Sequence, residues 1–227
     1  MAIDILDFLP VVAPAAPMCP TKIIKEKVIE AVRKFCHETK LWVVRVEAQG
    51  LTANQAAYDL PTMNTYDDAL VTIAEVGEIV AIDHLEVDNF ALRTTSEAFL
   101  NENEYGWRSR VEQVPRRFYM GPNRKVVFVY TPSSDKVGGV DIWLSMKPLW
   151  TATEVEDFFF TDWRKAIEYA AQALLMEIPK MAWSDEQAAM MMWGKFANEL
   201  DDAFDHKTSG YGDHQASLYM RPSSRAY

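Results

Sequence analysis

The stretch from Asp162 to Phe204 constrains this chain more than any other. It reads DWRKAIEYAAQALLMEI, then PKMAW, then SDEQAAMMMWGKFANELDDAF. In its first part Trp163, Ile167, Ala170, Ala171, Leu174 and Ile178 recur at the helical period and share one face. Thr161 stands where an N-cap belongs, and Asp162 puts negative charge at the positive end of the helix dipole. Pro179 ends the helix, since it has no N–H to donate. In the second part Ser184 and Gln187 have capping-box spacing, and Ala189, Met192, Trp193, Phe196, Leu200 and Ala203 form the apolar stripe. So short a break between two helices predicts an antiparallel hairpin.

Two such helices cannot bury both stripes without a third partner. The N-terminal region supplies one. Thr21 reads as the cap of a helix reaching about Thr39, with Ile24, Val28, Ala31, Val32 and Phe35 on one face. The expected bundle core is therefore Ile24, Val28, Phe35, Trp163, Ile167, Leu174, Met192, Phe196 and Leu200. The run Met190, Met191, Met192 has two uses in such a bundle: gap-filling core that is partly exposed, or an adaptable contact surface.

Between these helices the period changes from helical to strand-like. LWVVRVEA, from Leu41, is β-branched and aromatic and reads as a strand. Further strands are expected near 53–60, across 70–82 around Gly77, and at 116–120, 125–131 and 140–146. Ser96 caps a short helix within 95–103, and GPNR at 121–124 forms a hairpin turn. Ile142, Leu144 and Met146 alternate with polar neighbours apart from Trp143, which favours an antiparallel sheet with one face partly solvated. The predicted fold class is α+β: a bundle of one N-terminal and two C-terminal helices, with an inserted antiparallel β domain and extended terminal arms. The boundaries are 1–20 for an extended, proline-punctuated N-terminal segment and 21–40 with 155–206 for the bundle. They are 41–150 for the β insertion and 207–227 for the C-terminal arm. Ile5 to Leu9 has room for a single helical turn.

With 227 residues, 49% of them apolar, the chain has ample material for a core. Its charge of 23 − 33 = −10 argues against nonspecific binding to nucleic-acid backbone. Two cysteines, Cys19 and Cys36, do not make a disulfide framework, and Cys36 falls among helical core positions. The apolar start is broken by Asp4, Asp7 and prolines without a basic leader, so neither a signal peptide nor a membrane span is expected, and the protein should be cytosolic when made.

Chemistry-bearing residues are sparse. Asp83, His84, Glu86 and Asp88 form an acidic cluster that reads as a solvated turn between strands, or as a divalent-cation site of a small hydrolase. His206, Asp213 and His214 are the residue types of a metal site at a spacing that matches no known motif. Phosphate-binding and nucleophile-elbow motifs are absent from the sequence. No catalytic residue, cofactor or metal ligand is therefore expected. The arginines of RSRVEQVPRR, 108–117, beside Trp107, Phe118 and Tyr119, suit acidic surface on a neighbouring subunit better than nucleic acid in a chain this acidic. After Lys207 no helical stripe continues. The segment nevertheless holds Tyr211, Leu218, Tyr219, Met220 and Tyr227, more apolar bulk than a solvated tail carries.

Several phrases, in order, resemble the head-to-tail adaptor (connector) proteins of tailed bacteriophages. The first is the proline-rich apolar opening with Cys19–Pro20, followed by a helix that ends in Ala31, Phe35, Cys36, Thr39 and Trp42. The next are YDLP at 58–61 and LSMKP at 144–148. The last is the closing helix pair, broken by Pro179 and Trp183 and continued by Ala188 and Phe196. Together they cover most of residues 5–205, and the β insert departs most, over 62–110. The resemblance implies a structural virion protein rather than an enzyme. It implies a homo-oligomeric ring of twelve copies beneath the portal, joining capsid to tail and extending the DNA channel. The partners implied are other copies of itself, the portal, and tail or nozzle proteins. DNA would pass without specific binding, and no membrane is involved. The C-terminal arm (Tyr211, Leu218, Tyr219, Met220, Tyr227) would reach the portal. A stopper or tail-side connector would share this logic.

Overall fold

The computed structural model describes residues 2–48, 50–60, 63–66, 69–72, 77–122, 125–135 and 139–209. The chain divides into two compact units, Met1–Leu41 with Trp150–Tyr227, and Trp42–Leu149.

The first unit opens with β1 (Ala2–Asp4). The Asp4 side chain accepts a bond from the Leu6 N–H at 2.8 Å and starts a 3₁₀ turn at Ile5–Phe8. A one-turn helix α1 (Leu9–Val12) and a second 3₁₀ turn at Ala13–Ala15 follow. Coiled chain thus replaces much of the extended segment expected over 1–20. Pro10 and Pro14 sit in first turns, where a missing N–H leaves no bond unmade. The coiling turns Ile5, Phe8 and Val12 inward, where they are fully buried.

Helix α2 (Thr21–Thr39) starts immediately after Pro20. Thr21 is its first residue rather than its cap, and no side chain caps this end. The helix stops at Lys40, whose backbone is left-handed (φ 54°) and whose N–H bonds the Cys36 carbonyl at 2.9 Å.

The second unit is β-rich. Its elements are β2 (Val43–Ala48), β3 (Ala57–Tyr58), β4 (Met63–Tyr66), β5 (Ala69–Thr72), β6 (Gly77–Val87), β7 (Phe90–Ala91), β8 (Arg93–Thr94), α3 (Glu97–Asn103), β9 (Val111–Glu112), β10 (Arg117–Met120), β11 (Val126–Val129), β12 (Thr131–Pro132) and β13 (Val140–Pro148). One four-stranded sheet has the order β2-β13-β6-β7 and is antiparallel throughout. Its centre is β13, where Ile142 lies between Val46 and Leu85. The other has the order β3-β11-β10-β8. Two short pairs, β8 with β10 and β9 with β12, run parallel; the remaining pairs are antiparallel. Leu100, Trp107, Tyr119 and Val129 bury together between α3 and this second sheet. Ser96 caps α3 as expected, accepting from the Phe99 N–H at 3.2 Å.

The chain returns to the first unit through β14 (Glu154–Glu156), which pairs with β1, and the one-turn helix α4 (Phe158–Thr161). Then come α5 (Arg164–Met176) and α6 (Glu186–Ser209). Helix α5 is the middle of the bundle, with α2 and α6 packed against it. Two expected caps are corrected here. Thr161 ends α4, its hydroxyl bonded to the Asp157 carbonyl, and no side chain caps α5. Asp185, not Ser184, accepts from the α6 amide of Ala188 at 2.9 Å. Ser184 instead closes the preceding loop, accepting from the Met181 N–H at 2.9 Å and donating to the Ile178 carbonyl.

Candidate functional site

The residues with the strongest chemistry in the sequence do not converge. Asp83, His84 and Glu86 lie within β6 and not in a turn; the turn falls at Asp88 and Asn89, both at positive φ. His84 Nε2 lies 2.8 Å from Glu86 Oε1, and the His84 ring packs 4.9 Å from Trp143. Asp83 is the extra residue of a bulge in β6, between Ile82 and His84, and it is exposed. Among the described residues no group of three or more His, Cys, Asp or Glu is placed to hold a metal ion. His206 stands edge-on to Trp163, 5.5 Å away, while Asp213 and His214 lie outside the described residues. Neither Cys19 nor Cys36 is in a disulfide, and burial pushes the Cys19 thiol up.

Three of the four arginines in this stretch, Arg108, Arg110 and Arg117, form bonds within their own chain. Arg117 grips Glu104 with two bonds, 2.5 Å to Oε1 and 2.7 Å to Oε2. The Tyr130 hydroxyl donates to Glu104 Oε2 at 2.6 Å. These donors, Arg117 first and Tyr130 second, hold the Glu104 carboxyl down at about 2. Arg108 donates to Glu97 and to Asn101, whose Oδ1 also accepts from the Trp107 indole at 3.1 Å. Arg110 reaches the Tyr130 hydroxyl at 3.4 Å. This network ties α3 to β10 and β11. Glu104 was not singled out from the sequence, because its partners come from distant positions that only the sheet brings together.

Of the expected bundle core, Ile24, Val28, Phe35, Trp163, Ile167 and Phe196 are buried, while Leu174, Met192 and Leu200 are half-buried. Phe35 packs against Trp163 at 5.4 Å and edge-on to Phe159 at 6.4 Å. Helix α5 also buries Ala166, Ala173, Leu175 and Gln172, because it is covered on more than one side; Gln172 Nε2 donates to the Val11 carbonyl at 3.1 Å. On α6 the opposite side is open. Met190 and Met191 are 69% and 65% exposed, which gives the methionine run the character of a surface feature. Phe204 further along α6 is exposed as well. Tyr211, Leu218, Tyr219, Met220 and Tyr227 of the expected arm lie outside the described residues.

A family model described as SU10 adaptor protein matches residues 20–223, from the start of α2 to near the end of the chain. The chain belongs to the SU10 adaptor protein family. It is thus a phage adaptor with a structural role, a virion component that meets portal and tail proteins. No curated protein matches it. No helix among the described residues of this adaptor is long and apolar enough to cross a membrane.

Proposed function

We propose that this adaptor assembles as a ring of twelve copies between portal and tail, with the genome passing through its centre. The observation that carries this reading is the family match over residues 20–223. The charge supports it: a channel wall drawn from a chain of net charge −10 repels phosphates and lets DNA slide without holding it. The exposed Met190 and Met191 support it too, since methionine adapts to a partner surface at little cost in strain. The C-terminal arm, with Tyr211, Leu218, Tyr219, Met220 and Tyr227, is the segment proposed to order on the portal, its aromatics serving as anchors.

The test is a truncation. Deleting 210–227 removes no described residue of the helical unit, so the variant should unfold at the same denaturant concentration as the full chain. It should no longer co-sediment with the phage's portal protein. A truncated chain that still binds the portal would contradict the arm's role.

A further inference from the structure

Strand β6 has one finished side and one unfinished side. Along one side it pairs with β13 over its whole length, with two bulges near Leu144 and Met146. On the other side β7 pairs only with Glu86 and Val87, and the Leu92 N–H reaches the Leu85 carbonyl at 2.8 Å. The chain then leaves to pair β8 with β10 in the other sheet. From residue 82 back to 79, no strand among the described residues lies beside β6 on that side. Ile79, Val80, Ala81 and Ile82 there are only half-buried. They form one wall of a groove of about 470 Å³ whose other wall is residues 94–97 and 118–120.

The far end of the same sheet carries the complement. Strand β2 ends the sheet, and the β4–β5 pair lies against β2. A two-stranded ribbon is marginal by itself in water. Two residues separate β4 from β5, which makes Tyr66 and Ala69 the closing bonded pair. Alternation along an antiparallel pair then directs the backbone groups of Leu70 and Thr72 away from β4. Among the described residues no further strand lies outside β5, so its outer edge presents donors and acceptors on a sequence, Ala-Leu-Val-Thr, well suited to a sheet. Its four residues match the length of the open stretch 79–82.

We propose that β5 of one copy adds as a strand to β6 of the next copy, in the groove beside residues 79–82. Each copy carries one edge of each kind, on β6 and on the separate β4–β5 pair, so the contact is head-to-tail, the type of contact that closes into a ring. The proposal rests on the ring reading above and names the surface that links neighbouring copies. It also accounts for a run of apolar residues left half-buried in a single copy.

The experiment uses the full chain, alone over a concentration series and mixed with the phage's portal protein. Assembly is followed by light scattering and by amide exchange read with mass spectrometry. In assembled wild-type protein the amides within residues 79–82 that face away from β13 should become protected. Thr72→Pro removes one outward donor and leaves the bonds to β4, whereas Thr72→Ala keeps the donor. Val80→Lys places a charge in the groove wall. Thr72→Ala should assemble as wild type does. Thr72→Pro and Val80→Lys should remain monomeric with unchanged circular dichroism. Rings that form without protection at 79–82 would overturn the proposal and leave the ring reading intact. Protection there without self-assembly, appearing only with the portal, would assign the groove to the portal and also overturn it. A wild-type chain that forms no ring under either condition would remove the ring reading and this contact together. The wild-type exchange pattern decides the matter even if one variant fails to fold.

Discussion

Glu104 and Trp163 show how much single side chains hold in each unit. Trp163 is only 9% exposed and touches Phe35 and His206. Trp163→Ala should cost about 3–5 kcal/mol in denaturant unfolding, the usual cost of deleting a buried large aromatic. A cost near zero would place that face outside the monomer's core. Glu104 behaves differently, because its effect depends on pH. Its carboxyl is held at about 2, against an ordinary value of 4.5. A group whose pKa is depressed in the fold stabilises it fully above the unfolded value and loses that contribution as pH falls towards the folded one. The stability of the wild-type chain should therefore drop as pH falls from 4.5 towards 2. Glu104→Gln should be less stable at neutral pH and lose less over that acid range, as read by thermal unfolding at each pH. Neither behaviour was visible beforehand for Glu104, since Arg117 and Tyr130 reach it only after the sheet forms. Trp163 was legible, because helical spacing alone places it on the buried face.

Among the elements, the three long helices were readable and their caps were not, although the Ser96 cap of α3 was. The 3.6-residue period survives any tertiary context that covers one face, so α2, α5 and α6 follow from it directly. A cap is decided by one side chain and one or two backbone angles, and neighbours compete for the position. Ser184 and Asp185 are adjacent, and the loop closed by Ser184 leaves the α6 amides to Asp185. Asp185→Ala should therefore destabilise the chain by about 1 kcal/mol through α6. Ser184→Ala should act through the 178–184 loop and leave the exchange of the first α6 amides unchanged. Equal effects on those amides would contradict the division of roles. The strands were partly legible: β2, β10, β11 and β13 follow from β-branched, alternating sequence. The order in which they pair, and the parallel pairs β8–β10 and β9–β12, depend on contacts between residues far apart in the chain. The acidic cluster was misplaced in a turn for the same reason, because pairing with β13 extends β6 through polar residues.

For the whole molecule, the family match makes the chain an adaptor, an assembly component built from two compact units. What a monomer leaves uncovered then matters most: the Met190–Met191 face of α6 and the open edge of β6. These surfaces were hardest to foresee, since exposed apolar residues follow the same periodic patterns as buried ones, and only the missing neighbour sets them apart. A ring that orders on the portal shows itself in the native mass of the adaptor, measured alone and mixed with the phage's portal protein. The expected result is a defined complex in which many adaptor copies, close to one for each portal subunit, join a single portal ring. An adaptor that stays a monomer or dimer and leaves the portal's mass unchanged would contradict it.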